Sequence, residues 1–149
     1  MLEATTLAIG AALTCLAQNI YFESRDQSTI GQIAIAEVTL NRVADPRWPN
    51  DICSVVKQGP TYKWKKTYPI KHRCEFSWYC DGKSDDIKQL DIYMDIMYFT
   101  KILLTSRAMM FDITDGATFY HADYVMPSWA KSKIKTIEIG DHIFYRWKR

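Results

Sequence analysis

Glu23 closes an apolar run in the stretch NIYFESR and stands directly before the polar loop SRDQS. A carboxyl at a helix end, resting against Tyr21, Phe22 or the next helix, is partly desolvated. Desolvation raises an acid's pKa toward the range in which it can donate a proton near neutral pH. Solvation, or pairing with Arg25, is the simpler account of a lone Glu in that place. Glycoside chemistry with two carboxylates needs a second acid at a separation that decides inversion or retention. Asp26, Glu37 and Glu75 are the candidates. Glu37 falls on the core side of the second helix, where its charge needs a partner such as Arg42 or a tyrosine hydroxyl.

Other residue types offer other chemistry. His121 and His142, with Asp123 and Asp141 beside them, suggest a metal, but neither HExxH nor CxxC accompanies them and ordinary hydrogen-bonded histidines are the better reading. No metal is assigned. Cys74 or Cys80 could form a nucleophilic pair with His121, unless those cysteines are disulfide-bonded. Ser77 lacks a GxSxG elbow and reads as a hydrogen-bonding residue. Trp78 and Trp129 are either core or platforms for stacking on sugars. The four cysteines at 15, 53, 74 and 80 are even in number and lack a common zinc spacing. Disulfides in an oxidising compartment and free thiols in a reducing one both fit; of the three pairings, Cys53 with Cys74 or Cys80 is expected.

The elements that must position these groups follow from periodicity. Residues 4–22 read as a helix, with Leu7, Ala11, Ala12, Cys15, Leu16 and Asn19 at spacings of three and four. Ser28 is an N-cap for a second helix whose Ile30, Ile33, Ala34, Glu37, Leu40 and Ala44 share a face, and which ends before Pro46. A helical turn, DICSVVKQ, precedes a long irregular segment, 59–83, of the kind that carries function. Helix resumes from Ser84 to about Met110, its start favoured by Asp85 and Asp86 through the helix dipole. The segments ATFYHADYV and KTIEIGDHIFYRW are β-prone, the latter a hairpin about Gly140-Asp141. The whole is a mostly helical α+β domain.

At 149 residues, 48% hydrophobic and 24% charged, the chain is of single-domain size with a real core. Five Trp and nine Tyr include several rings in turn-rich stretches such as RCEFSWYCDG, which suits a groove for sugars or another flat ligand. Residues 47–75 hold seven Lys or Arg against two acids, while 76–100 hold two against five. A basic belt of that kind fits an anionic polymer or a solvated loop. The apolar start carries Glu3 and no basic n-region, so it reads as a buried helix rather than a signal peptide or membrane span.

Five blocks, AQNIYFESRDQSTIGQIAIAEVTLNRV, DPRWPNDICSVV, CEFSWYCDG, GATFYHADYVMPSW and IGDHIFYR, resemble in order and wording the SleB/CwlJ (spore-cortex-lytic) type of cell-wall hydrolase, over roughly residues 13 to 146. This chain has ESRDQ where that family has EARGE, Glu75 where relatives often have Gln, and Phe119 where they often have His. The resemblance implies a lysozyme-like fold, akin to goose-type lysozymes and lytic transglycosylases, with residues 1–149 as one catalytic domain. It implies cleavage of peptidoglycan between N-acetylmuramic acid and N-acetylglucosamine, with Glu23 as the catalytic acid. A single carboxyl suits lytic transglycosylation; a hydrolytic muramidase would recruit Glu75 or Asp26, and a non-catalytic peptidoglycan-binding module is the remaining alternative. Phe76, Ser77 and Trp78 would form one wall of the glycan groove and Tyr120 and His121 the other, with Glu75 and Trp129 also touching substrate. Gln32 and Asn41 would orient Glu23 or tie the helices together. The expected protein is a monomer that acts on the cell wall, in the periplasm or outside the cell, and resembles a phage endolysin made in the host cytoplasm or a trimmed bacterial enzyme. Glycan strands are its partners, with no nucleic acid, no cofactor and no stable membrane insertion.

Overall fold

A computed structural model describes residues 2–149, with side chains described from residue 9 onward. Helix α1 spans Leu2–Ser24; the expected Leu7 contact therefore lies outside the described side chains. Its last turn closes locally, Ser24 Oγ donating to the Ile20 carbonyl at 2.8 Å. Helix α2, Thr29–Ala44, starts where Ser28 caps it by accepting the Gly31 N–H at 3.2 Å, the role its type favours. Helix α3, Ile52–Val56, is capped in the same way by Asp51, which accepts from Ser54 N–H. Helix α4 spans Leu90–Ser106.

The segment 59–83 is more ordered than its lack of periodicity suggests. It holds an antiparallel hairpin of β1 (Thr61–Tyr62) and β2 (Lys65–Pro69), then a short 3-10 helix at Ser77–Cys80. Helix α4 also begins six residues later than Ser84, and the cause is tertiary. The hydroxyl of buried Tyr21 accepts the backbone N–H groups of Lys88 and Gln89 at 3.2 and 3.0 Å, which commits them to a bond across the fold before the helix starts.

Three strands, β3 (Phe119–Ala122), β4 (Ile134–Ile139) and β5 (His142–Arg146), form an antiparallel sheet in the order β3-β5-β4. The β4–β5 turn carries Gly140 at φ +56°, a conformation glycine adopts without penalty. Gln27 grips this turn from the α1–α2 loop. Its amide donates to Asp141 Oδ2 at 3.0 Å and accepts from Asp141 N–H at 3.1 Å, and a side chain at Gly140 would run into its oxygen. An acid at position 27 would instead face the Asp141 carboxylate.

Helix α2 is the central element. From Ala34 to Leu40 it is buried on every side, as a helix wrapped by neighbours must be. One flank joins Leu16, Ile20, Ile96 and Leu103 from α1 and α4; another, through Ile35 and Val38, meets Phe144 of the sheet. A third cluster, with Cys15, Val55, Val56, Phe76 and Trp78, packs the 76–80 loop onto α1 and α3. Full burial of each large aliphatic side chain stabilises by roughly 1.5–3 kcal/mol. Ile30, expected on the core face, is instead exposed at the first turn of α2.

Two pairings differ from expectation. The disulfides join Cys15 to Cys53 and Cys74 to Cys80, so Cys53 staples α3 to α1 and not to the later loop. With Cys74 and Cys80 joined, a Cys–His nucleophile is removed. Glu37 finds its partner not in Arg42 or a tyrosine but in Arg107, just past α4, which donates from Nε and Nη2 at 3.2 and 3.0 Å. The Glu37 side chain is 2% exposed and that of Arg107 33%. Burial raises the Glu37 pKa and the Arg107 charge opposes that shift. Arg107→Ala strands the carboxylate and is expected to destabilise by about 2 kcal/mol at neutral pH, less than for a fully enclosed pair because water reaches the arginine. A raised folded pKa means the burden shrinks as pH falls through it; urea titrations of the variant at neutral and mildly acidic pH check both points.

Candidate active site

Glu23 sits in the last turn of α1, the only acid in the described part of that helix. It does not pair with Arg25, whose guanidinium lies 5.3 Å from the Tyr21 ring centre. Tyr120 on β3 donates its hydroxyl to Glu23 Oε2 at 2.6 Å. Oε1 has no hydrogen-bond partner among the described residues, and the side chain is only half-buried. One oxygen is therefore pinned and the other is free to meet a ligand.

The electrostatics suit proton transfer. Burial raises the Glu23 pKa above its ordinary 4.5, while the Tyr120 hydrogen bond and the charge of Arg42 pull it back. The Tyr120 pKa is raised well above 10 by burial first and by Glu23 second, so the phenol stays a donor at any working pH. Arg42 is itself buried. Its Nε donates to the Thr118 carbonyl at 2.8 Å, its guanidinium lies 5.5 and 5.3 Å from the Trp48 and Phe76 ring centres, and its Nη1 stands 3.8 Å from Glu75 Oε2. Burial lowers its pKa, with Tyr120, Glu75 and Glu23 opposing the shift. Arginine keeps its charge in such a site. Tyr120→Phe removes a bond that favours the carboxylate, so Glu23 titrates at higher pH. The alkaline limb of the kcat/KM profile is expected to move upward, and an unmoved or lowered limb contradicts the coupling.

A cleft of about 1160 Å³ opens beside this carboxyl. Phe22 and Arg25 of α1, Asp26, Ser77 and Trp78 line one part, and the 81–89 segment with Ile92 lines the rest. Phe22 and Trp78 stack with ring centres 4.7 Å apart, and the Trp78 indole donates to Asn19 Oδ1 at 2.9 Å. Asn19 also donates to Thr39, so a buried amide on α1 sets the cleft's aromatic wall against α2. Glu23 itself stands on the adjoining face of the same helical turn, flanked in sequence by cleft residues on both sides.

The other expected site residues distribute unevenly. Ser77 and Trp78 line the cleft, whereas Phe76 is 3% exposed and packs beneath it under Arg42. Glu75 is exposed and faces Arg42. His121 does not wall the cleft: it is buried, its ring nitrogens bonded to the Ala122 carbonyl and the Tyr145 hydroxyl. Trp129 is half-buried against Phe119, His121 and Tyr145, away from the cleft lining. Phe119, where relatives often carry His, fits this aromatic group, with Trp48 and Trp147 on its other sides. Gln32 donates to the Ser24 carbonyl at 3.3 Å and so ties α2 to the end of α1. Asn41 is engaged elsewhere, with Asp112, the Ala117 carbonyl and Arg107. Sequence reasoning missed Arg42 as the charge beside Glu23 and missed Asp85, Asp86 and Gln89 as cleft residues. Their only signal was polarity in places where helix or surface explained it. Among the described residues no group of three or more His, Cys, Asp or Glu converges as a metal site.

A lysozyme-like α+β domain with one half-buried carboxyl beside an aromatic cleft is thus the class that fold and site define. The chain belongs to the cell wall hydrolase family, whose profile matches residues 26–145, beginning just after Glu23. It is similar to the spore cortex-lytic enzymes of Halalkalibacterium halodurans and Bacillus subtilis, each 28% identical over 130 residues and 87% of this chain, and covers 33% and 35% of those proteins. The chain therefore spans about a third of the length of these relatives. Among solved structures, the catalytic domain of the germination-specific lytic transglycosylase SleB from Bacillus anthracis superposes with a TM-score of 0.62 at 22% identity, covering 91% of this chain and 93% of that one. The SleB catalytic domain of Bacillus cereus gives 0.61 at 23%, covering 91% and 89%. At that identity the likeness establishes the fold.

Proposed function

We propose that residues 1–149 act as one catalytic domain that cleaves the glycan strand of peptidoglycan between N-acetylmuramic acid and N-acetylglucosamine, as a lytic transglycosylase with Glu23 as sole acid and base. The observation that carries this reading is the state of Glu23: desolvated enough to hold a proton, pinned at Oε2 by Tyr120, and open at Oε1. Protonated Glu23 donates to the glycosidic oxygen as the bond to C1 breaks. The resulting carboxylate is stabilised by the Tyr120 hydroxyl and the nearby Arg42 charge. It then takes the proton of the muramoyl 6-hydroxyl as that oxygen closes onto C1, leaving a 1,6-anhydro end and a regenerated acid. No water is consumed.

Hydrolysis is the second reading, and Asp26 is the residue that favours it, because it lines the cleft within three positions of Glu23. Glu75, beside Arg42, is a poorer candidate for a base because the neighbouring positive charge favours its ionised but less basic form. Two disulfides suit action in an oxidising compartment, on the wall outside the cytoplasm. Among the described residues no helix is long and apolar enough to cross a membrane. Purified protein is expected to clear a suspension of Gram-negative murein sacculi and release soluble muropeptides. Pull-down by sacculi without release would instead mark a binding module.

A further inference from the structure

The β1–β2 hairpin is built unlike the rest of the surface. Between Asp51 and Glu75 the chain carries six Lys or Arg and no acid. Lys63, Lys65, Lys66 and Lys71 are exposed, and none of them is in an ion pair among the described residues except with solvent. Edge lysines alone guard a small sheet against unwanted pairing, but that account leaves the aromatics unexplained. Trp64 occupies the two-residue turn and is 73% exposed; Tyr68 is 47% exposed. The Trp64 ring centre lies 5.5 Å from that of Tyr62 and 6.0 Å from that of Tyr68, and Lys65 Nζ sits 3.9 Å from the Tyr68 ring centre. Three rings grouped in water with cations among them offer flat faces for sugars and charges for carboxylates.

The hairpin is also held firmly to the cleft wall. Its base is closed by Ile70 N–H to the Pro60 carbonyl and by Glu75 N–H to the Gln58 carbonyl, each at 2.9 Å. The Cys74–Cys80 disulfide and the His72 N–H bond to the Cys80 carbonyl join that base to the loop bearing Ser77 and Trp78. Lys71 lies across Gly82, where a side chain would meet its Cε at 2.7 Å. Ring cluster and cleft wall therefore move as one piece.

We propose that this hairpin is a second glycan-binding site, outside the cleft, which grips uncut peptidoglycan through sugar faces on Trp64 and Tyr68 and through stem-peptide carboxylates on Lys63, Lys65 and Lys66. The site rests on the reading of peptidoglycan as substrate, and supplies retention on the polymer rather than bond cleavage. The test compares the full chain with Trp64→Ala/Tyr68→Ala and with Lys63→Gln/Lys65→Gln/Lys66→Gln, all at exposed positions, with unchanged melting temperature as the check on folding. Co-sedimentation with teichoic-acid-free sacculi is expected to weaken by at least about fivefold in each variant, the scale of a modest aromatic or cation contact. The lysine variant also loses most of the salt dependence of binding, while both cleave short soluble glycan fragments at the parent rate. Parental binding by both variants overturns the proposal, as does an equal loss of cleavage on short fragments. Displacement from sacculi by single-stranded DNA more readily than by soluble glycan overturns it in favour of a nucleic-acid occupant. A parent protein that binds sacculi through the hairpin yet releases no product leaves this site standing and removes the cleavage reading.

Discussion

Glu23→Gln is expected to lower glycan cleavage by about a hundred- to ten-thousand-fold, the range that one well-placed general acid and base contributes. Glutamine matches the carboxyl in shape and still offers an oxygen to the Tyr120 hydroxyl, so the 2.6 Å contact has a successor. What is lost is the proton. Stability moves the other way. A carboxyl whose folded pKa lies above its ordinary 4.5 binds its proton more tightly in the folded chain, so its ionisation weighs against folding above the folded pKa. That burden fades as pH falls below 4.5, where both states are protonated. The variant should therefore melt no lower than the parent at neutral pH, with the two curves converging in acid. Full activity in the variant would remove Glu23 as the acid, and a collapse in melting temperature would make any loss of activity uninformative.

The second large effect concerns the Cys15–Cys53 bond, which closes a loop across a sequence separation of 38 residues and fastens α3 to α1. Loop-closure entropy for that length corresponds to about 4 kcal/mol, against about 2 kcal/mol for the six-residue separation of Cys74 and Cys80. Val55 and Val56, both fully buried, lie just beyond Cys53 and pack against the cluster that supports Trp78. A Cys15→Ser/Cys53→Ser variant should unfold at markedly lower urea than the Cys74→Ser/Cys80→Ser variant, and its cleft wall should loosen first. Equal losses in the two variants would contradict the assignment of Cys15–Cys53 as the principal staple.

Local features were readable from the residues. The Ser28 and Asp51 caps, the stop before Pro46 and the Gly140-Asp141 turn each depend on a few neighbouring positions, and each lies where it was expected. The misplacements were of another kind. Helix α4 starts late because Tyr21, far away in the chain, accepts two of its upstream amides. Glu37 pairs with Arg107 across 70 positions, and Cys53 meets Cys15 rather than the nearer-looking cysteines of the next loop. Periodicity carries no information on such meetings.

The site divides along the same line. The importance of Glu23 came from a family resemblance, not from its spacing. Tyr120 was expected on a groove wall, but its hydroxyl serves Glu23 directly, and His121 beside it points into the core, as alternation along β3 requires. The change from EARGE to ESRDQ has a structural counterpart: Gln27 clasps the Asp141 turn with both ends of its amide, a task suited to an amide and not to an acid. The altered residue is occupied in holding the fold together, which leaves Glu23 without a partner at that position.

The most direct test of a lone acid and base is the mass of the muropeptides released from sacculi in water enriched in heavy oxygen. Intramolecular closure onto C1 predicts 1,6-anhydro ends, lighter by one water than hydrolytic products and free of the label. Reducing ends carrying one heavy oxygen would contradict the account and point to a water activated by a second group, with Asp26 the first residue to examine.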